Sequence, residues 1–140
     1  MSLDLTTFEK AIDQLQQSVE VAFDDNYMHS QSETIRNIIM AGVIQHFEIV
    51  YELSWKFMQR WLKINFNPEQ AEFPRTRKDL FRLAAKVGIL ENPLEWFAYA
   101  EARNMTSHTY DEEEAEKVFL LAPPLAIAAE KLLIRLKENG

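Results

Sequence analysis

Apolar residues recur along this chain at steps of three and four, the period of a helix with one buried face, and no segment alternates as a strand would. The first stripe is Phe8, Ile12, Leu15, Val19 and Ala22. Thr6 with Glu9 three residues later is its expected capping box, and Asp24-Asp25-Asn26 its expected end. Ser30 with Glu33 forms a second box, and no proline follows before Pro68. The pattern therefore predicts a helix from about Gln31 to about Asn65, roughly 50 Å long.

Between Val43 and Leu62 that helix is too rich in large apolar side chains for a single stripe, with Phe47, Val50, Tyr51, Trp55, Phe57, Met58 and Trp61 among them. It must bury more than one side. A small bundle covers one face, and a second copy of the chain is expected to cover another, making a homodimer. Further on, Thr76 with Asp79 opens a short helix that Gly88 stops, its inward face being Leu80, Leu83, Ala84 and Val87. Asn92-Pro93-Leu94-Glu95 starts another, with Trp96, Phe97 and Ala100 pointing inward. Asp111 with Glu114 opens the last, which Pro123-Pro124 should bend or divide. The expected architecture is all-α: an antiparallel four-helix bundle with a short extra helix and a kinked C-terminal helix, one domain over residues 1–140.

Composition narrows the functional classes. With 140 residues, 47% hydrophobic and 26% charged, the chain is sized for one core. It has no cysteine, no apolar run of membrane-spanning length, and a start, Met1-Ser2-Leu3-Asp4, without the basic character of a signal peptide. The cytoplasm is the expected compartment. Three glycines cannot build a phosphate-cradling loop, and His29, His46 and His108 are scattered, so neither a metal site nor a cofactor is expected. The net charge of -7 argues against broad coating of nucleic acid, which leaves only local contact with RNA or a nucleotide. One stretch runs the other way: Arg75, Arg77, Lys78, Arg82 and Lys86 against Asp79 form a basic patch, which by composition alone is a solvated face.

The chemistry concentrates between Arg103 and Asp111, where a permanent cation, a residue that titrates near neutrality and a phenol lie close together. On an unbroken helix Arg103 and His108 would stand about 140° apart, so convergence needs a break, and Thr106-Ser107 is suited to one because such hydroxyls compete with helix for backbone groups. Neutral His108 could then take a proton from a ribose 2′-hydroxyl while Arg103 stabilises the phosphate, a metal-independent ribonuclease step. Asn104 would support either group. The plain alternative is a salt bridge from Arg103 to Asp111 or Glu101 beside a half-buried His108.

Arg103-Asn104-x-x-x-His108-x-Tyr110 resembles the longer Arg-x4-His-x-Tyr signature of HEPN domains. Gln45-His46-Phe47-Glu48, Tyr51-Glu52-Leu53-Ser54-Trp55-Lys56, Pro74-Arg75, Gly88-Ile89-Leu90 and Trp96 are similar to the HEPN subfamily of nucleotidyltransferase substrate-binding proteins. The resemblance implies a four-helix-bundle homodimer encoded beside a minimal nucleotidyltransferase in a toxin-antitoxin pair. It leaves two roles open. In one, the chain is a ribonuclease toxin with catalytic Arg103 and His108, silenced by AMP transfer to Tyr110. In the other, it is the non-catalytic substrate-binding half of a split nucleotidyltransferase. The resemblance also implies that Glu48 is drawn towards the arginine. Glu52 and Lys56, spaced for a surface ion pair, are read as partners of each other. His46 departs from the pattern, standing where relatives often carry arginine, and is read as structural.

Overall fold

The computed structural model describes residues 3–66, 74–106 and 111–139. Among the described residues the chain forms six helices and no strand: α1 (Thr6–Ala22), α2 (Asp25–His29), α3 (Glu33–Asn65), α4 (Arg77–Lys86), α5 (Pro93–Met105) and α6 (Glu112–Asn139). The 33 residues of α3 make it the longest, about 50 Å at 1.5 Å per residue. It packs against α1, α6, α4 and α5, while α1 also lies on α6 and α5 on α4 and α6.

The buried positions of α3 explain why so many elements surround it. Val43, Ile44, Phe47, Val50, Tyr51, Ser54, Phe57, Met58, Trp61 and Leu62 are all buried, and at about 100° per residue they share one face about 140° wide. Leu53 and Trp55 are half-buried and Ile49 is exposed, so within one copy of the chain α3 buries one broad face and not a second. Phe57 stacks on Phe8 of α1, Phe47 meets Tyr99 of α5 edge-on, and Tyr51 meets Phe81 of α4 in the same manner. Phe81 continues into Trp96 and Phe97, so one aromatic cluster joins α3, α4 and α5. Ser54 is the buried polar side chain of this core, and its hydroxyl donates to the Val50 carbonyl at 2.7 Å. A satisfied hydroxyl of that kind adds little cost to burial.

Three helix starts are capped at the residues expected. Thr76 Oγ1 accepts from the Asp79 amide at 3.1 Å, Asn92 Oδ1 from Leu94 at 3.0 Å, and Asp111 Oδ1 from Glu113 at 3.0 Å. The α4 helix stops as predicted, with Gly88 at φ +93° turning Ile89 and Leu90 into the core. The buried face of α4 is Leu80, Phe81 and Ala84, whereas Leu83 and Val87 are only half-buried. On α5, Trp96, Tyr99 and Ala102 are buried, with Phe97 and Ala100 at the margin.

Four expectations need correction. Thr6 does not cap α1: its own amide donates to Asp4 Oδ1 at 3.0 Å, and Leu5 occupies the cap position without a side-chain bond. The first helix ends at Ala22 with Phe23 as its C-cap, and Asp24 instead caps a short helix, accepting from the Tyr27 amide at 3.1 Å. Ser32, not Ser30, caps α3, because the Ser30 hydroxyl is turned back to the Tyr27 carbonyl at the end of α2. Of the two outcomes expected at Pro123-Pro124, a bend or a division, division does not occur: α6 is one helix from Glu112 to Asn139. Two amide donors are lost there, yet Ala122, Leu125, Ala126 and Ala129 are buried on both sides of the pair, and packing holds the helical path.

Candidate functional site

Arg103 lies in the last turn of α5, and the helix ends two residues later. Thr106 is the C-cap, and its hydroxyl donates to the Arg103 carbonyl at 2.7 Å, the local competition expected at this point. The Arg103 guanidinium crosses to α3. Its Nε donates to Glu52 Oε1 at 3.1 Å, Nη2 lies 3.2 Å from Glu48 Oε1, and Nη1 donates to Thr106 Oγ1 at 3.3 Å. Glu48 and Glu52 are four residues apart and so project from one face of α3. Arginine therefore sits between two carboxylates, rather than pairing with Glu101 or Asp111.

Glu52 is the residue whose role sequence reasoning missed. Its other oxygen, Oε2, accepts from the Trp55 indole Nε1 at 3.0 Å, while Lys56, the expected partner, lies over the Trp55 ring at 5.7 Å. Trp55 also carries Arg77, whose guanidinium carbon is 3.7 Å from the ring centre. Arg77 in turn donates from Nη1 to the Tyr51 hydroxyl at 2.8 Å. The two i,i+4 pairs Glu48–Glu52 and Tyr51–Trp55, side by side on α3, were the signal available for this arrangement.

Tyr51, Glu52, Arg77, Ala100, Arg103 and Asn104 line one open cavity of about 340 Å³. That volume is at the small end of the range for small-molecule sites. The basic stretch is thus split by the fold. Arg77 faces this cavity, whereas Lys78 and Arg82 lie over Phe97, with Arg82 also paired to Asp79 at 3.0 Å. Arg75 is exposed and His46 is half-exposed on α3. His108 and Tyr110, the other two expected site residues, lie outside the described residues. Among the described residues there is no cluster of three or more metal-ligating side chains, and no helix is long and apolar enough to cross a membrane.

Residues 3–138 match the family model described as nucleotidyltransferase substrate binding protein like. The chain belongs to this family. It is 35% identical over 138 residues to a Haemophilus influenzae protein named "Probable ribonuclease HepT", covering 99% of this chain and 94% of the relative. A solved Haemophilus influenzae structure, described as revealing the fold of a substrate binding domain of a nucleotidyltransferase, superposes with a TM-score of 0.88 at 35% identity, covering 96% of this chain and 99% of the other. A crystal structure from Thermus thermophilus is also similar, with a TM-score of 0.72 at 31% identity over 93% and 98% of the two chains. The elements that carry the Arg103 cluster, α3 and α5, fall within the matched span.

Burial raises the Tyr51 hydroxyl above the usual tyrosine range, opposed by the hydrogen bond and charge of Arg77. Tyr99 is also pushed up, first by burial and then by Glu95. The folded chain holds both protons more tightly than the unfolded chain does, so their stabilising contribution is complete below about pH 10 and is lost as the pH rises above it. Urea unfolding followed from about pH 8 to about pH 11 will show the midpoint falling at the alkaline end, and Tyr99→Phe will shallow the fall. An equally steep fall in Tyr99→Phe would remove Tyr99 as its source.

Proposed function

We propose that this chain is the HEPN-type subunit of a two-gene module with a minimal nucleotidyltransferase, and that its own activity is metal-independent RNA cleavage by Arg103 and His108. One observation carries the reading: Arg103, in the last turn of α5, lines an open cavity five residues before His108. Three of its five N–H donors go to Glu52, Glu48 and Thr106, which leaves two for a phosphate. Neutral His108 takes the proton of a ribose 2′-hydroxyl, and the 2′-oxygen bonds to phosphorus. The bond from phosphorus to the 5′-oxygen breaks, and that oxygen takes a proton from water. A 2′,3′-cyclic phosphate and a 5′-hydroxyl remain. Glu48 and Glu52 orient Arg103, and Asn104 supports the same cavity. RNA incubated with the wild-type chain will be cleaved, and His108→Ala and Arg103→Ala will each slow cleavage by about 100-fold or more. Equal cleavage by all three proteins, or none by any, leaves the ribonuclease reading without support.

The module is read as a toxin-antitoxin pair acting in the cytoplasm, in which the nucleotidyltransferase silences the ribonuclease by AMP transfer to Tyr110. A tyrosine with its usual pKa of about 10 is a weak nucleophile alone, so the partner enzyme must activate it. Incubation with the nucleotidyltransferase and ATP will add one AMP mass to the wild-type chain and none to Tyr110→Phe. Equal labelling of Tyr110→Phe makes the acceptor assignment wrong.

The working form is read as a homodimer of four-helix bundles built on α1, α3, α5 and α6. Exposed Ile35, Ile38 and Ile49 on α3 and Leu120, Ile127 and Ile134 on α6 supply apolar surface for the second copy. Sedimentation at a concentration on the order of 1 µM will give twice the chain mass of 16.4 kDa, and a monomer would remove the dimer from the proposal.

A second reading is the non-catalytic substrate-binding half of a split nucleotidyltransferase. The two carboxylates on Arg103 favour it, because they offset the cation that cleavage would use.

A further inference from the structure

Arg103 does not present a net positive charge to an incoming anion. Its guanidinium is matched by Glu48 and Glu52, so the three together are negative. A phosphate that met only this cluster would be attracted by the near donors and repelled by the sum. A second cation in the same cavity changes that balance. Arg77 is that cation, since it lines the cavity with Arg103 and, among the described residues, has no carboxylate within ion-pair distance.

Arg77 is also held in place without using up its donors. Stacking on Trp55 fixes the guanidinium plane, and one N–H goes to the neutral Tyr51 hydroxyl. A guanidinium has five N–H donors, so further ones remain for a ligand. Trp55 joins the two arginines mechanically: its face carries Arg77, and its N–H fixes the carboxylate of Glu52 that grips Arg103. Lys78 and Arg82, the neighbouring cations of the basic stretch, are turned to Phe97 and do not line this cavity.

We propose that Arg77 and Arg103 grip a nucleotide phosphate jointly in the cavity between α3, α4 and α5, with Trp55 and Tyr51 as the residues that position Arg77. The proposal rests on the reading of Arg103 as a phosphate contact. It adds a second contact and a fixed spacing between the two. The phosphate comes from an RNA strand or from a free nucleotide, and both present the same chemistry to the cavity.

The test uses the full chain carrying His108→Ala, so that RNA is bound without being cut. Binding of a fluorescein-labelled single-stranded RNA is followed by anisotropy across a sodium chloride series, and binding of AMP by calorimetry. Arg77→Met keeps an apolar stem against Trp55 and removes the charge; Arg77→Lys keeps the charge and loses the fork. With RNA as the source, Arg77→Met weakens binding about tenfold and lowers the slope of log K against log salt by about 0.7, while Arg77→Lys keeps the slope. A loss of AMP binding with RNA binding unchanged supports the proposal with a free nucleotide as the source. Unchanged affinity for both ligands in a folded Arg77→Met overturns it.

Should Arg77→Met fail to fold, phenylglyoxal modification of the His108→Ala chain with Arg77 intact decides the matter. RNA or AMP will slow the reaction at Arg77 relative to the exposed Arg75. Equal rates with and without both ligands overturn the proposal. Failure of the ribonuclease reading is distinguishable, because a wild-type chain that binds RNA through Arg77 without cutting it sinks that reading and leaves this one standing.

Discussion

One helix must bury a single broad face against four neighbours, and that demand on α3 organises the rest of the fold. Phe57 turns towards Phe8 of α1, while Phe47 and Tyr51 turn towards α5 and α4. Each large side chain removed from water contributes roughly 1.5–3 kcal/mol, so the sum along α3 dominates any single polar contact. Polar groups are left to the rest of its circumference. The row of Glu48 and Glu52 lies in that remainder, and the site forms where the end of α5 meets it.

The ion pairs at this point are not what stabilises the chain. The side chains of Arg103, Glu48 and Glu52 are 31%, 40% and 29% exposed, and pairs so open to water contribute about 0–1 kcal/mol each. Their effect is directional. Two carboxylates on a rigid helix restrict a long side chain that would otherwise sample many rotamers, and Thr106 restricts it from the other end. The same economy holds for Arg77, which is oriented by a ring face and a phenol rather than by a charge.

Helix content and most helix ends were legible in the sequence because they depend on local signals. Thr76, Asn92 and Asp111 each stand alone as a cap before an apolar run, and each is used. Ser30 was read as a cap because Glu33 follows it, and the cap moved to Ser32 because α2, a five-residue helix too short to show a period, takes up the Ser30 hydroxyl. Pro123-Pro124 marked a place where the helix could bend or divide, and the burial of Ala122, Leu125, Ala126 and Ala129 around the pair keeps it undivided. In the site, Glu48 was legible beside Arg103 only through the family resemblance. Glu52 was assigned to Lys56 because the i,i+4 rule knows nothing of α5, fifty-one residues away, whose Arg103 competes for the same carboxylate. Arg77 looked like one charge among several, since sequence spacing does not say which of them faces Trp55.

Net charge and site charge act over different ranges, which is how an acidic chain can hold a phosphate. At physiological salt the Debye length is about 8 Å, so the surplus of negative charge over the rest of the surface is largely screened from a group already inside the cavity. Within that range the cavity offers the proposed phosphate two oriented guanidinium groups and two carboxylates that face Arg103. Long-range attraction is weak for such a surface, and association owes little to steering. Discrimination then falls to geometry at close quarters, where the spacing set by Trp55 decides which phosphates both arginines can reach at once.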